Sequence, residues 1–85
     1  MGAYSVLITR SAEREIERLP TPMRRLFFLR IEALSGDPRP QGSQKLAGED
    51  KYRVRQGDYR IVYTIEDSVV TVTVVRVAHR SDVYR

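Results

Sequence analysis

The sequence contains no cysteine, and only one of its residues is a histidine. Without cysteine the chain has no disulfide, no thiolate zinc site and no cysteine nucleophile. No group of His, Asp and Glu has metal-ligand spacing, and neither a glycine-rich phosphate loop nor a serine triad is present. These absences predict a protein that works without a metal ion or a cofactor.

Long hydrophobic runs are also absent. No apolar run approaches the roughly 18 residues that a membrane-spanning helix needs, and the N-terminus has no signal-peptide core. The sequence therefore predicts a cytoplasmic protein without a membrane partner.

The 85 residues instead carry an excess of positive charge, with 15 Lys and Arg against 11 Asp and Glu, a net charge of +4. This length suits a single domain over residues 1–85 with one hydrophobic core. The charge favours a polyanionic or acidic partner.

Residues 52–63, YRVRQGDYRIVY, predict a β-hairpin, because two alternating runs flank a Gly-Asp dipeptide. Gly57 suits the first central position of a type II′ turn. A two-residue loop fixes the register, with Arg55 opposite Arg60. One face then carries the core residues Tyr52, Val54, Tyr59, Ile61 and Tyr63, and the other carries Arg53, Arg55 and Arg60.

The arginine face of this hairpin carries no acidic residue. Two arginines directly opposite each other repel, which weakens the strand pair. A solvated face would mix charges of both signs, so the concentration of arginine favours a ligand that supplies negative charge, such as a phosphate backbone. The alternative is that the three arginines only keep the sheet soluble.

The N-terminal half predicts a short strand at residues 4–8 and two helices. Ser11 is the expected N-cap of the first helix, which ends before Pro20. Thr21 is the expected N-cap of the second helix, and Gly36 suits its C-terminal cap. The core stripe of the second helix consists of Met23, Phe27, Ile31 and Leu34.

Phe28 and Leu29 lie away from that stripe. They either contact the first helix or form an exposed apolar surface that awaits a partner. Leu46, in the loop that follows, is expected to anchor that loop in the core.

The last strand, residues 69–78, is expected to follow a two-residue turn at Asp67-Ser68. That register pairs Ile65 with Val70, Tyr63 with Val72 and Ile61 with Val74, which keeps apolar residues together. It also places His79 on the arginine face. The predicted architecture is α+β, in the order β-α-α-β-β-β, with an antiparallel sheet and a two-helix hairpin packed on one face.

Several segments together resemble the RelE/ParE toxin superfamily of bacterial and archaeal toxin–antitoxin systems. They are GDPRP at 36–40, Lys45, Leu46 and Gly48, YRVRQGDYRIVY at 52–63 and HRSDVYR at 79–85. The likeness spans residues 4–85 and is closer to the RelE branch, whose members are mRNA interferases that cleave messenger RNA in the ribosomal A site without a metal. The ParE branch poisons DNA gyrase on a similar fold, so the fold alone does not decide between them.

The resemblance implies phosphate and transition-state contacts for Arg53, Arg55, Arg60 and Arg80. Arg53 and Arg55 stand where some RelE members have lysines, and an arginine cannot lose its proton to act as a general base. The resemblance places Tyr84 near the nucleophile or as a stacking aromatic. The candidate bases are therefore His79, because histidine titrates near neutral pH, and Tyr84.

The resemblance also implies partners. An acidic antitoxin is expected to bind the chain, with Phe28 and Leu29 as candidate contacts, and operator DNA is expected only through the antitoxin complex. Lys45 and Lys51 are candidate RNA contacts. The alternatives to an endoribonuclease are a ParE-like gyrase inhibitor and a non-catalytic basic domain that helps its antitoxin bind operator DNA.

Overall fold

Five strands and two helices make up the fold in the computed structural model, which describes residues 3–46, 50–79 and 81. In chain order they are β1 (Ser5–Ile8), α1 (Arg10–Glu17), α2 (Thr21–Ala33), β2 (Gln44–Lys45), β3 (Lys51–Gln56), β4 (Tyr59–Glu66) and β5 (Thr71–His79), with a short 3₁₀ turn at Asp67–Val69. The strands form one sheet in the order β1-β5-β4-β3-β2. The predicted α+β class is confirmed.

The sheet is mixed rather than wholly antiparallel, because β1 runs parallel to β5. The two-residue strand β2 adds an edge strand that the sequence did not predict. In the described part of the chain no helix is long and apolar enough to cross a membrane.

The β3–β4 hairpin has the register that its turn predicts. Arg55 lies opposite Arg60, and Val54 lies opposite Ile61. Gly57 has a φ of 61°, in the left-handed region that glycine adopts without a steric penalty. The two-residue loop thus determines which side chains of both strands face the core.

Both helices pack on one face of the sheet. The core cluster joins side chains of α1, α2 and the strands: Ala12, Ile16, Leu19, Phe27, Ile31, Leu34, Val54, Ile61, Tyr63, Val72, Val74 and Val77. We call the opposite face of the sheet the far face. The side chains of Arg53, Arg55 and Arg60 alternate with core residues and therefore belong to the far face.

The two helix starts differ from the prediction. The N-cap of α1 is Thr9, whose Oγ1 accepts a hydrogen bond from the backbone N–H of Ala12 at 3.2 Å, and not Ser11. The helix begins earlier because Thr9 is also held at the end of β1, where its N–H donates to the Val74 carbonyl. Pro20 occupies the N-cap position of α2, so Thr21 is its first helical residue.

The structure also tests two predictions about apolar side chains. Phe28 and Leu29 are 45% and 59% exposed, which agrees with the second alternative, an exposed apolar surface. Leu46 is half-buried and lies outside the core cluster, so its predicted role as a core anchor is wrong. The Leu46 N–H donates to the Lys51 carbonyl.

The predicted β4–β5 register is wrong. The observed pairs are Ile65 with Val72, Tyr63 with Val74 and Ile61 with Val77. The connection is longer than two residues because Asp67–Val69 form a 3₁₀ turn that ends at Val70, which has a φ of 49°.

A β-bulge adds a second change. The register shifts between Val62 and Tyr63, which leaves Val75 without a partner in the ladder. Beyond this bulge the alternation of β5 is reversed. His79 therefore pairs with Tyr59 on the helix-covered face, and Arg76 pairs with Val62 on the far face. The prediction that His79 shares the arginine face is wrong for this reason.

Candidate nucleic-acid interface

Four arginines from three strands lie on the far face, and we call this set the arginine surface: Arg53, Arg55, Arg60 and Arg76. Arg55 and Arg60 are direct cross-strand partners. Val62 lies between Arg53 on one neighbouring strand and Arg76 on the other. Neighbouring strands are about 4.8 Å apart, so the backbones of Arg53 and Arg76 are roughly 10 Å apart. The surface thus concentrates positive charge on one face of the sheet, which favours an anionic ligand such as a phosphate backbone.

The three arginines of the hairpin differ in their surroundings. Arg60 is only 7% exposed, Arg53 is half-buried and Arg55 is exposed. Nη2 of Arg53 donates a hydrogen bond to Oε1 of Gln44 on β2. The edge strand β2 thus helps to orient one member of the arginine surface, while packing holds Arg60.

Arg76 was not predicted as a site residue. The strict alternation expected for β5 assigned it to the core side, and only the bulge at Val75 moves it to the far face. Its Nε lies 3.7 Å from Oε2 of Glu15 on α1, and the side chain of Arg76 is 51% exposed. The sequence signal was the paired Val74-Val75, which interrupts the alternating pattern of the strand.

His79 contacts aromatic rings under the sheet. Its ring makes an edge-to-face contact with Tyr59 at 5.3 Å between centroids, and Phe27 makes another with Tyr59 at 5.5 Å. Nδ1 of His79 lies 2.9 Å from Oγ of Ser81. His79 therefore joins the end of β5 to the core, on the face opposite the arginine surface.

The remaining predicted residues are divided between the faces. Lys51 pairs with Thr64 and belongs to the far face, whereas Lys45 pairs with Tyr52 and belongs to the face that the helices cover. Arg80 and Tyr84 lie outside the described residues, so their predicted roles stay predictions. Within residues 3–46, 50–79 and 81, no three His, Asp or Glu side chains are grouped closely enough to hold a metal ion.

A second polar cluster lies near the other end of β4. Arg39 donates from Nη2 to Oδ2 of Asp67 at 2.9 Å and from Nε to the Tyr52 hydroxyl at 3.3 Å. The Tyr4 hydroxyl donates to Oδ1 of Asp67 at 2.7 Å. The hydrogen bonds from Arg39 and then from Tyr4 hold the pKa of Asp67 below its ordinary value. This cluster connects the loop after α2 to the β4–β5 turn and is separate from the arginine surface.

The exposed apolar surface of α2 includes a shallow groove of about 390 Å³. Phe28 and Leu29 line it, together with Arg24, Arg25 and Glu32. The two arginines would attract an acidic partner, while Phe28 and Leu29 would contact its apolar side chains.

Comparisons with known proteins agree across nearly the whole chain. A family model described as the ParE toxin of type II toxin–antitoxin systems, parDE, matches residues 6–84. Toxin RelG of Mycobacterium tuberculosis is 36% identical over 89 residues, which cover 96% of this chain and 97% of that protein. Toxin RelE of the same organism is 33% identical over 84 residues, with 96% and 87% coverage.

Solved structures of toxin–antitoxin complexes contain chains that are similar to this one over nearly its whole length. The toxin–antitoxin complex RelBE2 from Mycobacterium tuberculosis contains a chain with a TM-score of 0.81 and 31% identity, covering 92% of this chain and 99% of that chain. The archaeal RelE–RelB complex from Pyrococcus horikoshii gives a TM-score of 0.83 at 27% identity, with 92% and 96% coverage. The intact RelBE complex of E. coli gives 0.78 at 28% identity, with 91% and 96% coverage.

Proposed function

This chain belongs to the ParE toxin family of type II toxin–antitoxin systems, and from that premise we propose that it is a metal-independent endoribonuclease that cleaves messenger RNA in the ribosomal A site. The observation that carries the proposal is the arginine surface, in which the hairpin register brings Arg53, Arg55 and Arg60 to one face of the sheet. The relatives named RelG and RelE favour this activity over inhibition of DNA gyrase.

The reaction that suits this surface is attack of a ribose 2′-OH on the adjacent phosphate. The 2′-oxygen gives up its proton and bonds to phosphorus, which builds negative charge on a pentacoordinate phosphorane. The bond from phosphorus to the 5′-oxygen then breaks, and that oxygen takes a proton from water. Arg55 and Arg60 are the residues that stabilise that charge, because a guanidinium can bind two phosphoryl oxygens at once. Arg60 is nearly buried, so its charge is held in position by packing before substrate arrives, which is the arrangement that makes such stabilisation effective.

Proton transfer needs other groups, since arginine keeps its proton. His79 faces Tyr59 on the opposite side of the sheet, so we assign it a packing role. Tyr84 is the proposed general base, and Arg80 is the proposed residue that neutralises charge on the leaving oxygen.

Ribosome-bound cleavage tests this function directly. Primer extension on a translated message measures the rate for the wild type, for Arg60→Ala and for Arg14→Ala, which removes an exposed arginine of α1. Loss of one stabilising donor should lower the rate of Arg60→Ala by about 10²–10³, whereas Arg14→Ala should cleave like the wild type.

Two outcomes would contradict the proposal. Intact transcripts together with inhibited DNA supercoiling by gyrase would identify a ParE-like gyrase poison. Intact transcripts and no growth arrest on expression would favour a non-catalytic domain that acts with its antitoxin on operator DNA.

The proposed partner is an acidic antitoxin that binds the apolar groove of α2, and operator DNA is reached only through that complex. The support is that structural relatives are toxins in complex with RelB proteins, and that Arg24 and Arg25 flank the exposed Phe28 and Leu29. Leu29→Asp should reduce co-purification of the product of the adjacent reading frame. Val69→Asp, at an equally exposed position in the β4–β5 turn, is the matched control and should leave it unchanged.

A further inference from the structure

The β-bulge of β5 is held by residues at the beginning of the chain. The Thr9 N–H donates to the Val74 carbonyl at 2.9 Å, and Oγ1 of Thr9 donates to the Val75 carbonyl at 3.4 Å. Oε1 of Glu15 accepts a hydrogen bond from the Val77 N–H at 2.7 Å. The pairing of β1 with β5 ends at Ile8, so β1 does not supply backbone hydrogen bonds to the following residues of β5. The bonds from Thr9 and Glu15 take their place and stabilise the bulge from the edge of the sheet.

The bulge decides where Arg76 lies. With Val75 left out of the ladder, Arg76 pairs with Val62, whose other neighbour is Arg53. The side chain of Arg76 is half-exposed. It therefore extends the arginine surface from the hairpin onto β5, along the same row across the sheet.

Glu15 touches Arg76 without saturating its guanidinium group. The closest approach is from Nε, at 3.7 Å, which is longer than a hydrogen bond. The other oxygen of Glu15 is engaged by the backbone of Val77. Within the described part of the chain the Arg76 side chain donates no hydrogen bond, and it is 51% exposed, so its guanidinium group is accessible to a phosphate.

We propose that Arg76 is a further phosphate contact for the RNA and that Glu15 is its positioning residue. The proposal rests on the proposed function, because it assumes that the arginine surface binds RNA. It adds a residue that the sequence pattern does not assign to the site. It also gives α1 a role in the site, since Glu15 holds both the bulge and the Arg76 side chain.

Binding of the full chain to a short single-stranded RNA tests this proposal. The probe is a ten-nucleotide RNA with 2′-O-methyl groups, so that it binds without being cleaved, and its affinity is measured over a range of salt concentrations. Arg76→Ala should weaken binding about tenfold, as expected for loss of one charged hydrogen bond. The slope of log affinity against log salt should fall by about 0.7, the value for one lost phosphate contact on a single strand.

Matched variants separate this role from a merely structural one. Arg14→Ala removes an exposed arginine of α1, the helix that carries Glu15, and should bind RNA like the wild type. Glu15→Gln keeps an oxygen that can accept from Val77 but removes the negative charge beside Arg76. It should therefore bind RNA more tightly than the wild type, so that Arg76→Ala and Glu15→Gln change RNA affinity in opposite directions. If Arg76 and Glu15 had only a structural role, Glu15→Gln would not tighten RNA binding.

The outcomes distinguish this proposal from the proposed function. If Arg55→Ala weakens binding and Arg76→Ala does not, the role of Arg76 is wrong while the function stands. If neither variant weakens binding, the proposed function fails. If Arg76→Ala lowers antitoxin capture but not RNA binding, Arg76 is an interface residue and the proposal is overturned. Thermal melting of each variant confirms that the compared proteins are folded.

Discussion

Replacing Tyr63 with phenylalanine should remove the buried hydrogen bond to the Pro38 carbonyl and leave the packing of the ring unchanged. The Tyr63 hydroxyl donates to the Pro38 carbonyl at 2.8 Å, and the Tyr63 side chain is completely buried. Phenylalanine fills the same space, so the stacked contact with Tyr52, at 6.0 Å between ring centroids, should persist. The buried Pro38 carbonyl then lacks a partner, which should cost about 1–3 kcal/mol of folding free energy.

Urea unfolding measures this cost. The midpoint should fall while the slope of free energy against urea stays constant, because the same surface is exposed on unfolding. The matched control is Tyr52→Phe, whose hydroxyl accepts from Nε of the exposed Arg39 at 3.3 Å. Removing that exposed contact should change stability by less than about 0.5 kcal/mol. Equal losses in the two variants would refute the reasoning from burial.

The contribution of Tyr63 to folding stability should also depend on pH. Burial raises the pKa of Tyr63 above its ordinary value of 10.0. Above about pH 10 the unfolded chain therefore releases the phenolic proton while the folded chain retains it, and stability falls as pH rises towards the folded pKa. Tyr63→Phe lacks this contribution, so its urea midpoint should fall less steeply than that of the wild type in alkaline solution. Parallel slopes would show that Tyr63 does not titrate differently on folding.

Three further predictions follow from single contacts. Gly57→Ala should lower the free energy of unfolding, measured in urea, by about 1–2 kcal/mol, because a φ of 61° is costly for alanine. In Gly36→Ala the added Cβ would meet only a carbonyl oxygen, at 3.8 Å, so the free energy of unfolding should not fall. Asp67→Asn should show less loss of stability than the wild type as pH falls below 3.8, since its partners depress the pKa of Asp67 and that stabilisation disappears on protonation. His79→Phe keeps an aromatic ring at that position and should retain ribosome-dependent cleavage; loss of cleavage without loss of stability would instead identify His79 as a catalytic base.

The hairpin could be predicted to the residue because its register is determined locally. A two-residue Gly-Asp turn allows one alignment, and alternation then assigns Arg53, Arg55 and Arg60 to the far face. The helices were also predicted within a few residues, because their apolar periodicity and the prolines between them are local signals. The parallel pairing of β1 with β5 was not predicted, since it joins strands more than 60 residues apart and has no turn to reveal it.

The β4–β5 register failed for a related reason. Both the predicted and the observed alignments bury valines against Ile61, Tyr63 and Ile65, so the apolar pattern does not choose between them. The choice depends on the 3₁₀ turn before Val70 and on the bulge at Val75. Strand alternation alone could not anticipate either feature.

That bulge also changes the chemistry of the candidate site. Without the bulge, the alternation of side chains along β5 would bring His79 to the far face, and the arginine surface would include a group that can take a proton near neutral pH. With it, the surface gains Arg76, which can only stabilise negative charge. In the proposed reaction, the described residues of this face would bind phosphate and stabilise negative charge, and proton transfer would need another group, for which Tyr84 is proposed. One inserted residue in β5, held by Thr9 and Glu15, therefore determines that the arginine surface contains Arg76 and not His79.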